Sequence, residues 1–226
     1  MTGDEILDQI EILFPDAECE LLHETPFQLL VAVVLSAQTT DASVNKVTPA
    51  LFARWPDAES LRQADVHEVE KTIQTIGLYR SKAKNIVALS QALVDQFHGE
   101  VPSTFKELQS LPGVGRKTAN VVRSVAFDVP SFAVDTHVER IAKRLGLAKV
   151  EDDPLKVETK LRRKISRERW NQGHHDLIFF GRYFCTARKP RCEECPFVSF
   201  CKKDKLDAYQ AELKEKKKAR KQEAKA

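Results

Sequence analysis

Four of the chain's five cysteines crowd into one short stretch: Cys185, Cys192, Cys195 and Cys201, spaced C-x6-C-x2-C-x5-C. Thiols this dense fold either around disulfides or around a metal. The opening residues, Met1-Thr2-Gly3-Asp4-Glu5, are acidic and polar, unlike a secretory leader. The longest apolar run, residues 29–35, is too short to span a bilayer. A cytoplasmic protein is therefore expected, in a compartment where disulfides are rare, and a metal centre is the expected explanation of the cysteines. Spacing alone leaves tetrahedral zinc and an iron–sulfur cluster open, since each accepts four cysteines. Cys19 stands far from the group and is expected to be an ordinary thiol.

The rest of the chain reads as helix. Its 226 residues suffice for one large or two small domains. Apolar residues recur at helical spacing over 4–14, where Ile6, Ile10, Leu13 and Phe14 fall on one face before Pro15. Thr25-Pro26 pairs an N-cap with a first-turn proline. It opens a helix over 27–37 that is apolar all round and belongs at the centre of a domain. Thr40-Asp41 begins a helix reaching about residue 55, and 67–76 is amphipathic up to Gly77. Ser81 is the expected cap of a helix to about 97, and Ser103 of one over 105–110. Further helices are expected over 117–127, 136–145, 154–165 and 173–183. No period-two segment of useful length interrupts them, so the fold class is all-α.

Charge is unevenly spread. Residues 1–60 carry 2 Lys/Arg against 11 Asp/Glu, whereas 61–206 carry 27 against 18 and 207–226 carry 7 against 4. A basic second part favours a polyanionic partner. Within it, Leu111-Pro112-Gly113-Val114-Gly115 separates two helical patterns and runs into Arg116-Lys117-Thr118. Proline starts such a turn, and the glycines permit positive φ and close approach of another backbone. A helix start exposing successive N–H groups suits a phosphate. By itself this segment supports a phosphate-binding turn with a nearby cation.

Residues 111–120 together with Val134-Asp135-Thr136-His137 resemble the helix–hairpin–helix DNA glycosylases, and most closely their bacterial endonuclease III branch. The resemblance covers about residues 25–201. It implies two helical lobes with double-stranded DNA bound in a cleft between them. One is a six-helix barrel over 19–130 containing the hairpin; the other is a discontinuous iron–sulfur lobe over 1–18 and 131–206. It also resolves the cysteine loop towards a 4Fe–4S cluster on Cys185, Cys192, Cys195 and Cys201, structural and DNA-positioning in role. The basic tail over 207–226 departs from a minimal member and, with little to bury, is expected to be a frayed helix or disordered.

The resemblance also assigns chemistry. Lys117 is implied as the nucleophile that attacks the sugar C1′ of a damaged nucleotide and forms a Schiff base. Strand cleavage 3′ to the abasic site by β-elimination follows. Such an attack needs an uncharged amine, which a helix start favours by opposing a nearby positive charge. Asp135, 18 residues on, is implied as the catalytic carboxylate while also capping the following helix. Oxidised pyrimidines and abasic sites in duplex DNA are the implied substrates, with the protein acting as a monomer.

Because the target nucleotide must leave the stack, something must fill the gap. By resemblance Gln38, in the link 36–41, enters the vacated stack, and Leu78, in the link 76–79, wedges against the opposite strand. Leu111, Gly113, Val114, Gly115, Arg116 and Thr118 are implied hairpin contacts to DNA, and Arg188, Lys189 and Arg191 form a basic loop between the first two cysteines. Asn45, Lys82, Arg140 and Lys143 suit either phosphate contacts or solvated helix faces, and His137 is expected to anchor locally. His174-His175 read as core polar residues. The nearest rival, adenine DNA glycosylase, usually lacks a lysine at the position of Lys117. Outside the enzymes stand a DNA-binding iron–sulfur protein without catalysis and a zinc-binding scaffold.

Overall fold

A computed structural model describes residues 1–223, without the side chains of 220, 221 and 223. Its first helices are α1 (Gly3–Leu13), α2 (Pro26–Leu35), α3 (Asp41–Arg54) and α4 (Ala58–Arg62). Then come α5 (Val66–Ile73), α6 (Tyr79–Phe97), α7 (Phe105–Ser110) and α8 (Arg116–Phe127). The last are α9 (Thr136–Arg144), α10 (Pro154–Lys164), α11 (Trp170–Phe179) and α12 (Lys203–Glu223). No strand occurs among the described residues, so the all-α class holds. None of the helices described is long and apolar enough to cross a membrane. The chain forms two compact units, Met1–Glu18 with Val134–Ala226, and Cys19–Ala133.

The unit Cys19–Ala133 is organised around α2. Thr25 Oγ1 accepts from the Gln28 N–H at 3.2 Å and Pro26 presets the first turn. Phe27 and every residue from Leu29 to Leu35 are buried. A helix apolar on all sides needs neighbours on all sides, and α3, α6 and α8 pack against it. Each fully buried leucine there contributes about 2–3 kcal/mol of transfer free energy.

The other unit is joined by polar clamps as well as apolar packing. Thr2 and Glu5 form a reciprocal capping box at the start of α1. Arg169 donates to the Asp4 carbonyl, to Asp8 and to Glu11, and Ser166 donates twice to the Asp4 carboxylate. These bonds tie α1 to the turn between α10 and α11, although the two ends are far apart in sequence.

Several boundaries differ from expectation. Thr104, not Ser103, caps α7. The residue at the start of α6 is Leu78, not Ser81, and it caps nothing with its side chain. Helix α5 stops at Ile73, and the short α4, capped by Asp57, carried too little periodicity to be seen. Downstream, α11 yields to a π-helical turn, Phe180–Phe184, which leads into the cysteine loop. Of the two readings of the tail, frayed helix or disorder, the structure has helix to Glu223, while 224–226 lie outside the described residues. Lys, Glu, Ala and Gln are strong helix formers, and Lys203–Asp207 and Glu212–Lys216 pair at i,i+4. The tail needs no core to hold that shape locally.

Candidate functional site

The hairpin joins α7 to α8. Gly113 has φ +77°, the left-handed region a side chain resists, and a Cβ there would press on Asn85 at 3.2 Å. Gly115 differs. Its φ is an ordinary −90°, and a Cβ would meet nothing within 4 Å. Gly113 is thus demanded by the turn, whereas nothing inside the protein demands Gly115. As the cap of α8 it offers no side chain, and the first intrahelical bond runs from the Ala119 N–H to the Gly115 carbonyl. The N–H groups before it belong to the helix's open, electropositive end.

Lys117 and Thr118 sit half-buried on the first turn of α8, and Arg116 is exposed with its guanidinium over the Phe105 ring at 4.9 Å. Leu111 and Val114 have their side chains buried in the core, and their N–H groups donate to the Leu108 and Leu111 carbonyls. They shape the hairpin from within.

Four non-glycine residues of the same unit have left-handed backbone: His98 and Asp128 end α6 and α8, and the other two lie in links between helices. Gln38, between α2 and α3, has φ +55°, and Leu78, between α5 and α6, has φ +58°. Neither is glycine, and such conformations cost about 1–3 kcal/mol unless the surroundings enforce them. Both side chains are exposed, Leu78 to 59%. Leu78 is therefore not a core leucine sealing a helix end. Asn45 holds the chain before α2, accepting from the Leu22 N–H and donating to the Glu20 carbonyl. Neither it nor the buried Lys82 is a solvated helix face.

Asp135 belongs to the other unit, where it caps α9. Its Oδ1 accepts from the His137 and Val138 N–H groups, both at 2.8 Å, leaving Oδ2 out of the cap. His137 Nδ1 lies 3.3 Å from an Arg140 guanidinium nitrogen. Burial, with help from Arg140 and Arg182 and against Asp135, holds the imidazole pKa below its ordinary value.

Arg140 extends this chain of contacts. It donates to the Gly181 carbonyl at 2.7 Å and to the Cys185 carbonyl at 3.4 Å. One helical turn on, the buried Arg144 donates to Cys185 Sγ at 3.2 Å and to the Thr186 carbonyl at 3.0 Å. The sequence reading missed Arg144 altogether. Its signal was the i,i+4 pairing with Arg140 on α9, whose apolar and polar faces are sharply separated. Lys143 is buried and bonded to Glu139, so neither it nor Arg140 is a solvated face.

Cys185, Cys192, Cys195 and Cys201 line one cavity with Phe184, Pro190 and Val198. Burial pushes the Cys195 and Cys201 thiols up, and the neighbouring cysteines add to it. Cys19 lies apart, in the other unit. Arg188 and Lys189 are exposed. Arg191 is exposed too, paired with Glu194 and stacked over Phe184 at 5.0 Å. His174 is buried against His175, as expected of a core pair.

Residues 31–167 match the HhH-GPD superfamily of base excision DNA repair proteins, and residues 185–201 match the iron–sulfur binding domain of endonuclease III. Endonuclease III of Bacillus subtilis (strain 168) is 56% identical over 196 residues, 87% of this chain and 90% of that protein. Endonuclease III of Escherichia coli (strain K12) is 45% identical over 204 residues, 90% of this chain and 96% of that protein. A solved structure of a trapped endonuclease III–DNA covalent intermediate matches with a TM-score of 0.87 and 51% identity, covering 92% of this chain and 99% of that one. With agreement along nearly the whole length, in sequence and in fold, the chain belongs to the endonuclease III branch of the helix–hairpin–helix base-excision repair family, DNA glycosylases with abasic-site lyase activity, and carries that branch's iron–sulfur binding domain.

Proposed function

We propose that this enzyme removes oxidised pyrimidines from double-stranded DNA and cleaves the strand 3′ to the resulting abasic site, with Lys117 as nucleophile and Asp135 as catalytic carboxylate. The observation that carries the reading is Gly115: an exposed glycine at ordinary φ with open space where its side chain would be. Nothing in the fold needs it, so its use is to let another backbone come close. A phosphate approaching there meets the positive end of α8, with Lys117 on the first turn. Gln38 and Leu78, exposed in strained links, supply the groups that enter the opened duplex.

The chemistry follows in balanced steps. The Lys117 Nζ lone pair forms a bond to C1′ as the C1′–N glycosidic bond breaks, its electrons leaving with the base, which takes up a proton. Asp135, with Oδ2 outside the cap, stabilises the positive charge developing on the sugar and assists proton transfer. Ring opening gives the Schiff base. Loss of a C2′ proton then expels the 3′ phosphate, and water releases Lys117 from the product.

For the cysteine loop we propose a 4Fe–4S cluster held by Cys185, Cys192, Cys195 and Cys201. The four share one cavity, and residues 185–201 match the iron–sulfur binding domain of endonuclease III, which favours a cluster over a lone tetrahedral zinc. The bound cluster would cross-link the loop and supply the positive charge four neighbouring thiolates require. Arg188 and Lys189 would then be held in place to meet phosphate.

Borohydride trapping on duplexes containing thymine glycol tests the catalytic assignment. Lys117→Ala is expected to abolish the covalent adduct while damaged-duplex binding persists, and undiminished trapping in that variant excludes Lys117 as nucleophile. In the same assay Asp135→Asn is expected to slow base release by roughly 10²–10⁴-fold. Faster processing of an oxidised purine than of thymine glycol overturns the substrate class.

A further inference from the structure

Among the described residues Lys82 is the one charged side chain buried in the unit Cys19–Ala133, with 4% of its surface exposed. A lysine is almost never fully buried unless it is paired. Here burial alone shifts its pKa, downwards, with no charged neighbour contributing. Its ammonium instead donates to Thr39 Oγ1 at 2.6 Å, and its backbone N–H donates to the Leu78 carbonyl at 3.0 Å. The second bond is the first intrahelical bond of α6, so the ammonium ties Thr39 to the helix turn that begins at Leu78. The two links run side by side at Gly77, where a Cβ would stand in ordinary van der Waals contact with Thr39 Oγ1, 3.9 Å away. Gln38 precedes Thr39, and Leu78 opens α6; each is exposed and each has left-handed backbone. Conformations of that kind persist where their surroundings over-determine them.

We propose that Lys82 is a positioning residue for duplex opening. By tying Thr39 to the first turn of α6, its ammonium fixes the spacing between Gln38 and Leu78, so that the two enter the duplex as one rigid pair. The buried charge has a reason to be there: a hydrogen bond from an ammonium holds a loop more firmly than one between neutral groups. This inference rests on the reading that Gln38 and Leu78 enter the DNA.

The test compares Lys82→Met, Thr39→Val and the double variant in the full-length holoenzyme. Affinity is measured for a duplex carrying a tetrahydrofuran abasic analogue, and for the same analogue inside a mismatched bubble that is already open. Each single variant is expected to weaken binding to the paired duplex roughly tenfold. Binding to the bubble should change little, and the double variant should be no worse than either single one. Equal losses on both substrates, additive losses, or no loss at all would overturn the proposal. Should Lys82→Met fail to fold, Thr39→Val probes the same bond from its less buried partner. Leu78→Gly separates the two levels of the argument. Full affinity in that variant defeats the wedge itself, whereas a selective loss there with none in Lys82→Met and Thr39→Val defeats the role of Lys82 alone.

Discussion

The two compact units are held together by different physics. Between Cys19 and Ala133 the interior is apolar, and Lys82 is the sole charge among its described buried residues. The unit containing both chain ends buries Lys143, Arg144, Asp152, Glu158, His174 and Asp176. Hydrophobic burial is non-directional and tolerant of small shifts, so the first unit can support strained links on its surface. Buried polar networks are fixed by geometry and costly when incomplete. The second unit therefore depends on each partner being present, including whatever binds the four cysteines.

The largest expected contrast comes from removing the cysteine ligands. Cys192→Ala should eliminate iron, sulfide and visible absorbance, and should cost the loop the binding free energy that is otherwise part of its folding free energy. Hydrogen exchange should then rise across 134–201 while amides of α2 stay protected. Zinc without iron in the wild-type protein, or uniform loss of protection, would break the contrast.

A core truncation should produce the reverse pattern. Leu30→Ala opens a cavity in the fully buried centre of α2 and is expected to cost about 2–5 kcal/mol. Denaturant melting followed by hydrogen exchange should report that loss mainly in 19–133, with metal content unchanged. Spread of the loss into the cysteine loop would show the units to be one cooperative block.

Asp176 gives the smallest effect, with the opposite sign. It is fully buried, its Oδ2 meets no donor, and Gln172 donates to Oδ1. Burial chiefly, aided by Glu11, pushes its pKa up to about 7. Since the folded protein holds this proton more tightly than the unfolded chain, stability falls as pH rises from about 4 to 7, then levels. Asp176→Asn stays neutral throughout and should be more stable than wild type by about 1–3 kcal/mol above pH 7. The advantage should vanish below pH 4. An unchanged difference across that range would show that Asp176 is not the titrating group.

Much of the fold was legible because its signals are local. Thr25-Pro26, Thr40-Asp41 and the apolar run after residue 27 report their helices directly. Short α4 and the start of α6 were not, since the first has barely a turn and the second begins on a leucine with no capping side chain. In the candidate site, Gly113 and Gly115 were visible as a pair, but their different purposes appear only in φ angles and surrounding space. Leu111 and Val114 read as turn residues open to a partner, yet their side chains are buried in the core.

By itself the sequence determined the helical class, the four-cysteine loop, the hairpin and the family. Periodicity, caps and spacing are written in neighbouring residues and need no partner from elsewhere in the chain. Tertiary structure alone decided which charges are buried and which loops are joined: Arg144 against Cys185, Arg169 across α1, and Lys82 between Thr39 and Leu78. Those pairings depend on desolvation and on contacts between distant segments, and a lysine or arginine looks the same in sequence whether it faces water or a buried hydroxyl.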